Sequence, residues 1–248
     1  MLCEVVTSLL ALSVLASIAA AGGPQPSREA QAQALRDAST ESILAMGRAA
    51  LPKLGIYRAK LTKQERMGSK LQSPQVLRIV VREEPLAVRM EFVEGPTGRK
   101  LIYDSTTRAG EMRVHEHGFL GIVGATWVSI HSSLVRGDSN HLITEAGIGA
   151  LLRLQAADMV RAQPFGGFSR NDEGWNERGR WCGRYDAPFK ATGLYATASR
   201  VCLDPATALP MEMTVWDGHG LLESYLYTEL ETNLPEGNAA FDLKKAGL

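Results

Sequence analysis

Excess charge of one sign is missing from this chain, which carries 27 Lys+Arg against 27 Asp+Glu over 248 residues. A balanced chain has no long-range field to gather nucleic acid or an anionic membrane, so neither is an expected partner, and charge leaves room only for a local patch. Cysteine is scarce, three in all, with no C-x-x-C spacing to support a redox pair or a zinc ribbon. Catalytic signatures are missing too. Gly167-Phe168-Ser169-Arg170-Asn171 lacks the closing glycine of a nucleophile elbow. Gly147-Ile148-Gly149-Ala150-Leu151-Leu152 lacks the third glycine of a dinucleotide fingerprint. His115 and His117 would face the same way on a strand, but no spacing fixes a third ligand among Glu116, His131 and His141. Solvated surface histidines are the expectation there, with no metal and no cofactor. Glu83, Glu84, Glu91 and Glu94 read as the wet face of a sheet and not as an acid/base pair. No catalytic residue is expected, and the chain does not read as an enzyme.

Hydrophobic residues make up 45% of the chain and charged residues 22%, enough to build a core and too apolar for global disorder. Val5 to Ala21 is uncharged and ends at Ala19-Ala20-Ala21-Gly22-Gly23-Pro24, a small-residue site of the kind signal peptidase cuts. Residues 1–21 are therefore expected to be a cleaved signal peptide and the protein to be exported to the periplasm. The alternative is an uncut N-terminal membrane anchor, for which the run is short. Glu4, with no Lys or Arg beside it, is unusual for the start of such a segment. Cys3 precedes the apolar run and so cannot be a lipobox cysteine. In an oxidising compartment the remaining Cys182 and Cys202 are expected to form a structural disulfide.

Residues 22–28 form a Pro/Gly/Ser linker, and 29–248 are expected to be one domain. Glu29 to Leu54 reads as a helix interrupted near Ala38-Ser39, and Thr144 to Gln163 as a second helix with Thr144 at its N-cap. Gly147 and Gly149 at the start of the second weaken its first turn and would let another backbone approach closely. Between the helices, Leu86-Ala87-Val88-Arg89-Met90-Glu91-Phe92 alternates oily and wet residues, the signature of a half-buried strand. Runs at 57–65, 75–82, 99–104, 111–115 and 126–130 continue the pattern, and 180–186, 199–203, 211–217 and 223–230 repeat it later. Pro164 to Gly179 reads as a loop, and the oily Gly118 to Gly124 as a moving cover or a packed turn. The fold class expected is α+β: a curved antiparallel sheet with helices on one side. Leu86, Val88, Met90, Phe92, Leu101 and Tyr103 are the candidate lining of its apolar face, which helices or a ligand must cover.

The order of Gly55-Ile56-Tyr57, Lys63-Gln64-Glu65-Arg66, Pro85-Leu86-Ala87-Val88-Arg89-Met90, Gly95-Pro96-Thr97-Gly98-Arg99-Lys100 and His141-Leu142-Ile143-Thr144-Glu145-Ala146-Gly147-Ile148-Gly149 resembles a bacterial family. It is the one known as domain of unknown function number fifteen seventy-one. Asp204-Pro205, Tyr225-Leu226-Tyr227-Thr228-Glu229-Leu230 and Phe241-Asp242 extend the likeness. The resemblance implies an exported protein with a fold similar to LolA, LolB and LppX: an unclosed half-barrel with helices on the concave side, in carriers that hold acyl chains in a hydrophobic cavity. By that implication the partner is a lipid or the acyl chain of a lipoprotein. The alternative is a cell-envelope structural or protein-interaction module whose cavity is filled by its own helices, with an envelope protein as partner.

Overall fold

The computed structural model describes residues 26–116, 124–137, 139–188 and 193–248. The expected signal peptide, His117 and all but the last residue of the 118–124 cover lie outside the described residues. Among the described residues, twelve strands form one antiparallel sheet: β1 Ile56–Met67, β2 Lys70–Leu71, β3 Gln75–Arg82, β4 Ala87–Glu94, β5 Lys100–Asp104, β6 Glu111–His115, β7 Thr126–Ser129, β8 Ser169–Trp175, β9 Trp181–Asp186, β10 Ala198–Leu203, β11 Pro210–Asp217 and β12 Gly220–Glu231. Their order is β7-β6-β5-β4-β3-β1-β12-β11-β10-β9-β8, with β2 paired to β1. Two meanders thus meet where β1 pairs with β12, and the far edges β7 and β8 do not pair with each other. The sheet is an unclosed half-barrel.

That order dictates where the helices go. The chain leaves β7 at one edge and re-enters at β8 on the other, so residues 130–168 must cross the whole sheet. They do so on the inner face, as the short helix α3 Ser133–Arg136, a 3₁₀ turn Ile143–Glu145 and the helix α4 Ile148–Ala162. Two helices before β1 share that face: α1 Arg28–Asp37 and α2 Thr40–Ala50. Ser27 caps α1 by accepting from Ala30 N, and Ser39 caps α2 by accepting from Ser42 N at 3.1 Å. The second cap produces the expected break at Ala38-Ser39. Leu35, Ile43, Leu44, Leu151 and Leu152 from these helices bury against Tyr57, Leu61, Ile79, Val81 and Val88 of the sheet. On the opposite face a smaller cluster, Val80, Ala87, Leu234, Ala240 and Phe241, is closed by the C-terminal segment, which ends in the short helix α5 Leu243–Ala246.

Two expectations about the elements are corrected. The second long helix begins at Ile148, not at Thr144, because Gly147 takes φ +96°, outside the helical region. Ser169–Trp175 is a strand where a loop was expected. Its polar run hides the period because it is an edge strand whose partner is β9 alone.

Cys182 and Cys202 are directly opposite on β9 and β10, both fully buried, and form a disulfide. The two residues lie 20 apart in sequence, and closing a loop of that size removes about 3 kcal/mol of unfolded-state freedom. A Cys182→Ala/Cys202→Ala variant should therefore melt roughly 6–12 °C lower in a calorimetric scan. An unchanged melting temperature would show that the sheet needs no staple there.

Candidate functional site

The inner face is not filled everywhere. One cavity of about 270 Å³ lies over β9 to β12, with Phe168, Tyr185, Ala196, Met213 and Val215 among its walls. A second, of about 90 Å³, lies over β1 and β3 to β6, walled by Leu77, Met90, Phe92, Leu101, Met112 and Ile130 among others. His141, Glu145 and Leu154 border both.

Between the cavities sits a buried polar cluster that follows from strand parity. On β1 the inward set Tyr57, Ala59 and Leu61 continues through Lys63 and Glu65, and on β12 Glu223 shares its side with Tyr225 and Tyr227. The β1–β12 register then places Glu65 directly opposite Glu223, at 3% and 1% exposure. Two like charges facing each other across a ladder repel and must be compensated. Glu65 accepts from Tyr225 Oη at 2.8 Å, from the backbone N of Asn140 at 2.9 Å and from Ser139 Oγ at 3.2 Å, and pairs with Lys63 Nζ at 3.4 Å. Glu223 accepts from Tyr195 Oη at 2.7 Å and meets His141 Nε2 at 3.0 Å. His141 Nδ1 lies 3.3 Å from Glu145, which also accepts from the backbone N of Leu142.

The protonation states follow from these partners. Burial raises the Glu65 pKa, but the Lys63 charge and the hydrogen bonds from Tyr225, Asn140 and Ser139 outweigh it and hold the group below its ordinary value. Burial lowers the His141 pKa, yet the hydrogen bond to Glu223 and the charges of Glu223, Glu65 and Glu145 carry it above ordinary. The strap of residues 139–146 is thereby fastened to the middle of the sheet through the two facing carboxylates.

The helix next to the strap is seated by a different device. Tyr57 Oη donates to Glu83 Oε1 at 2.8 Å and accepts from the backbone N of Ile148, while Glu83 Oε1 also accepts from the backbone N of Gly149 at 2.9 Å. Glu83, expected on the wet face of the sheet, is instead turned inward with its side chain 10% exposed, and its carboxylate caps the positive end of α4. A Cβ on Gly147 would stand 2.9 Å from both Tyr57 Oη and Glu83 Oε1, and 3.1 Å from Val81 Cγ1. The two glycines let the helix rest directly on the sheet.

The profile of the family described as Protein of unknown function (DUF1571) matches residues 55–246. The chain belongs to this family. No curated protein sequence matches it. Among solved structures, the DUF1571 chain is similar to a putative outer membrane lipoprotein-sorting protein domain from Vibrio parahaemolyticus, with 13% identity and a TM-score of 0.39 over 85% of this chain and 100% of that one. It is similar to the lipoprotein LppX of Mycobacterium tuberculosis, with 15% identity and a TM-score of 0.42 over 79% and 98%. It is also similar to a chain of the Pseudomonas aeruginosa MucA/MucB complex, with 14% identity and a TM-score of 0.45 over 79% of this chain and 58% of that one.

All six candidate lining residues of this DUF1571 chain turn toward the helices. Val88, Phe92, Leu101 and Tyr103 are buried, and Leu86 and Met90 pack partly buried against the same core. Met90, Phe92 and Leu101 line the smaller cavity, whereas Leu86, Val88 and Tyr103 border neither of the two. The reason is position along the strands. Val81, Val88 and Tyr103 form one cross-strand row, and the start of α4 presses on it at Gly147. One row further on are Ile79, Met90 and Leu101, of which Met90 and Leu101 line the smaller cavity. His115 is on β6 opposite Lys100, and among the described residues no group of three His, Cys, Asp or Glu could hold a metal. No helix among the described residues is long and apolar enough to cross a membrane. Sequence reading missed the Glu65–Glu223 pair and its clasp His141, although the alternation of β1 and β12 carried the signal.

Proposed function

We propose that this protein is an exported, non-enzymatic binding protein that buries an acyl chain of a lipid or lipoprotein against the inner face of its sheet. The observation that carries this reading is the pair of neighbouring cavities of about 270 and 90 Å³, the smaller walled mainly by apolar side chains and the larger by an apolar set, Phe168, Met213 and Val215 among them, that shares it with polar ones. Apolar wall left in water is unfavourable by ~25 cal/mol per Å², and each methylene that covers it is worth ~0.8 kcal/mol before ordering costs. The larger cavity is near the lower end of ordinary ligand pockets, ~300 Å³, so the guest is a short or bent segment unless the helices shift. A buried disulfide suits export to an oxidising compartment. Analogy with lipoprotein-sorting proteins points the same way and adds no residue-level argument.

A second reading has its own observation. Leu151 and Leu154 of α4 line the smaller cavity, as they would in an envelope interaction module that plugs itself. Organic extraction of the purified protein followed by mass spectrometry separates the two. A stoichiometric amphiphile is expected. Repeated recovery of none would favour the self-filled module.

A further inference from the structure

We propose that His141 is the partition that sets the length of the guest; this rests on the apolar-guest reading above. The two cavities share one face of one sheet, and among the described residues three border both: His141, Glu145 and Leu154. Leu154 belongs to the rigid helix α4. Glu145 is turned back into its own strap, accepting from Leu142 N at 2.9 Å, and it steadies the other side of the imidazole. That leaves the His141 ring as the removable part of the wall.

The ring is held in place chiefly by polar contacts. His141 Nε2 lies 3.0 Å from Glu223 Oε2 and 3.2 Å from Tyr195 Oη, and the Tyr195 hydroxyl is itself fixed by Glu223 at 2.7 Å. The Tyr195 and Tyr225 rings flank it, with centroids 5.6 and 6.1 Å away. Just before it, Ser139 and Asn140 fasten the strap to Glu65. A clasp built on two facing buried carboxylates fixes the ring between two hydrophobic spaces, where an aliphatic residue would close the gap without any charge. With the ring in place, a guest must end on one side of it. Without it, the spaces run together and one chain can occupy both.

Displacement of a fluorescent fatty acid by saturated fatty acids of increasing length tests this. The wild-type protein should reach its tightest binding at a short chain and gain nothing from further methylenes. His141→Ala should move that plateau to longer chains, gaining about fourfold in affinity per added methylene until the joined space is full. His141→Gln, which keeps an amide within reach of Glu223, should keep the wild-type plateau. Because His141→Ala leaves Glu223 without its imidazole, a His141→Ala/Glu223→Gln variant is measured alongside it. A folded double variant with the wild-type plateau would overturn the partition while leaving the guest reading intact. No displacement, because the fluorescent acid binds neither protein, would overturn both.

Discussion

Gly149→Ala should destabilise the protein by about 3 kcal/mol, through a single added methyl group. The new Cβ would land against Glu83 Oε2, with Glu83 Cδ and Leu51 Cδ2 each 2.8 Å away. Glu83 cannot swing aside freely, because its other oxygen holds both Tyr57 Oη and the backbone N of Gly149. The helix must lift from the sheet or the cap must break. In a domain of this size that loss corresponds to a fall in melting temperature of roughly 6–12 °C. Gly110→Ala is the control: nothing lies within 4 Å of its would-be Cβ, and its effect should stay within about 1 kcal/mol of zero. Equal melting temperatures for the two variants would refute the close seating of α4.

The second large effect belongs to the clasp. His141→Ala should cost about 3 kcal/mol, because it strands a carboxylate that is 1% exposed with Tyr195 as its remaining side-chain donor. Glu223→Gln removes that charge, so the double variant should be more stable than the sum of the single losses, and the cycle should show coupling of about 1 kcal/mol or more. The pH dependence has a definite sign. The raised His141 pKa means that its stabilisation is full below the ordinary value of 6.5 and is lost as pH rises through the elevated folded pKa. The lowered Glu65 pKa means that its contribution is present above the ordinary 4.5 and is lost as pH falls through the folded pKa. The strap is therefore held by both between those two values. Urea midpoints across the pH range should fall above 6.5 in the wild-type protein and stay flatter in His141→Ala. Parallel curves would contradict the clasp.

Much of the fold was readable because strand alternation is a local property. Gln75–Arg82 and Glu111–His115 are strands with the bounds that their alternation gives, and the Asp217-Gly218-His219-Gly220 turn joins β11 to β12. Ser169–Trp175 was not readable, since an edge strand with so little apolar content has no oily face to reveal. The same parity that put Met90 and Leu101 inward also put Glu65 and Glu223 inward, against the usual exposure of glutamate. What no local rule supplies is the register of β1 on β12, residues far apart in sequence, which turns two inward glutamates into one facing pair. Nor does it place the start of α4 against Tyr57 and Val81, where Gly147 and Gly149 let it sit.

Titration of a fluorescent fatty acid into the wild-type protein and a Met213→Trp variant tests the central claim most directly. Met213 lines the larger cavity on β11, and an indole there fills the space a guest would enter. The account predicts saturable, one-to-one binding to the wild-type protein and a loss of at least about tenfold in affinity in a variant that still melts cooperatively. Equal affinity for the two proteins, or no binding to either, would contradict it.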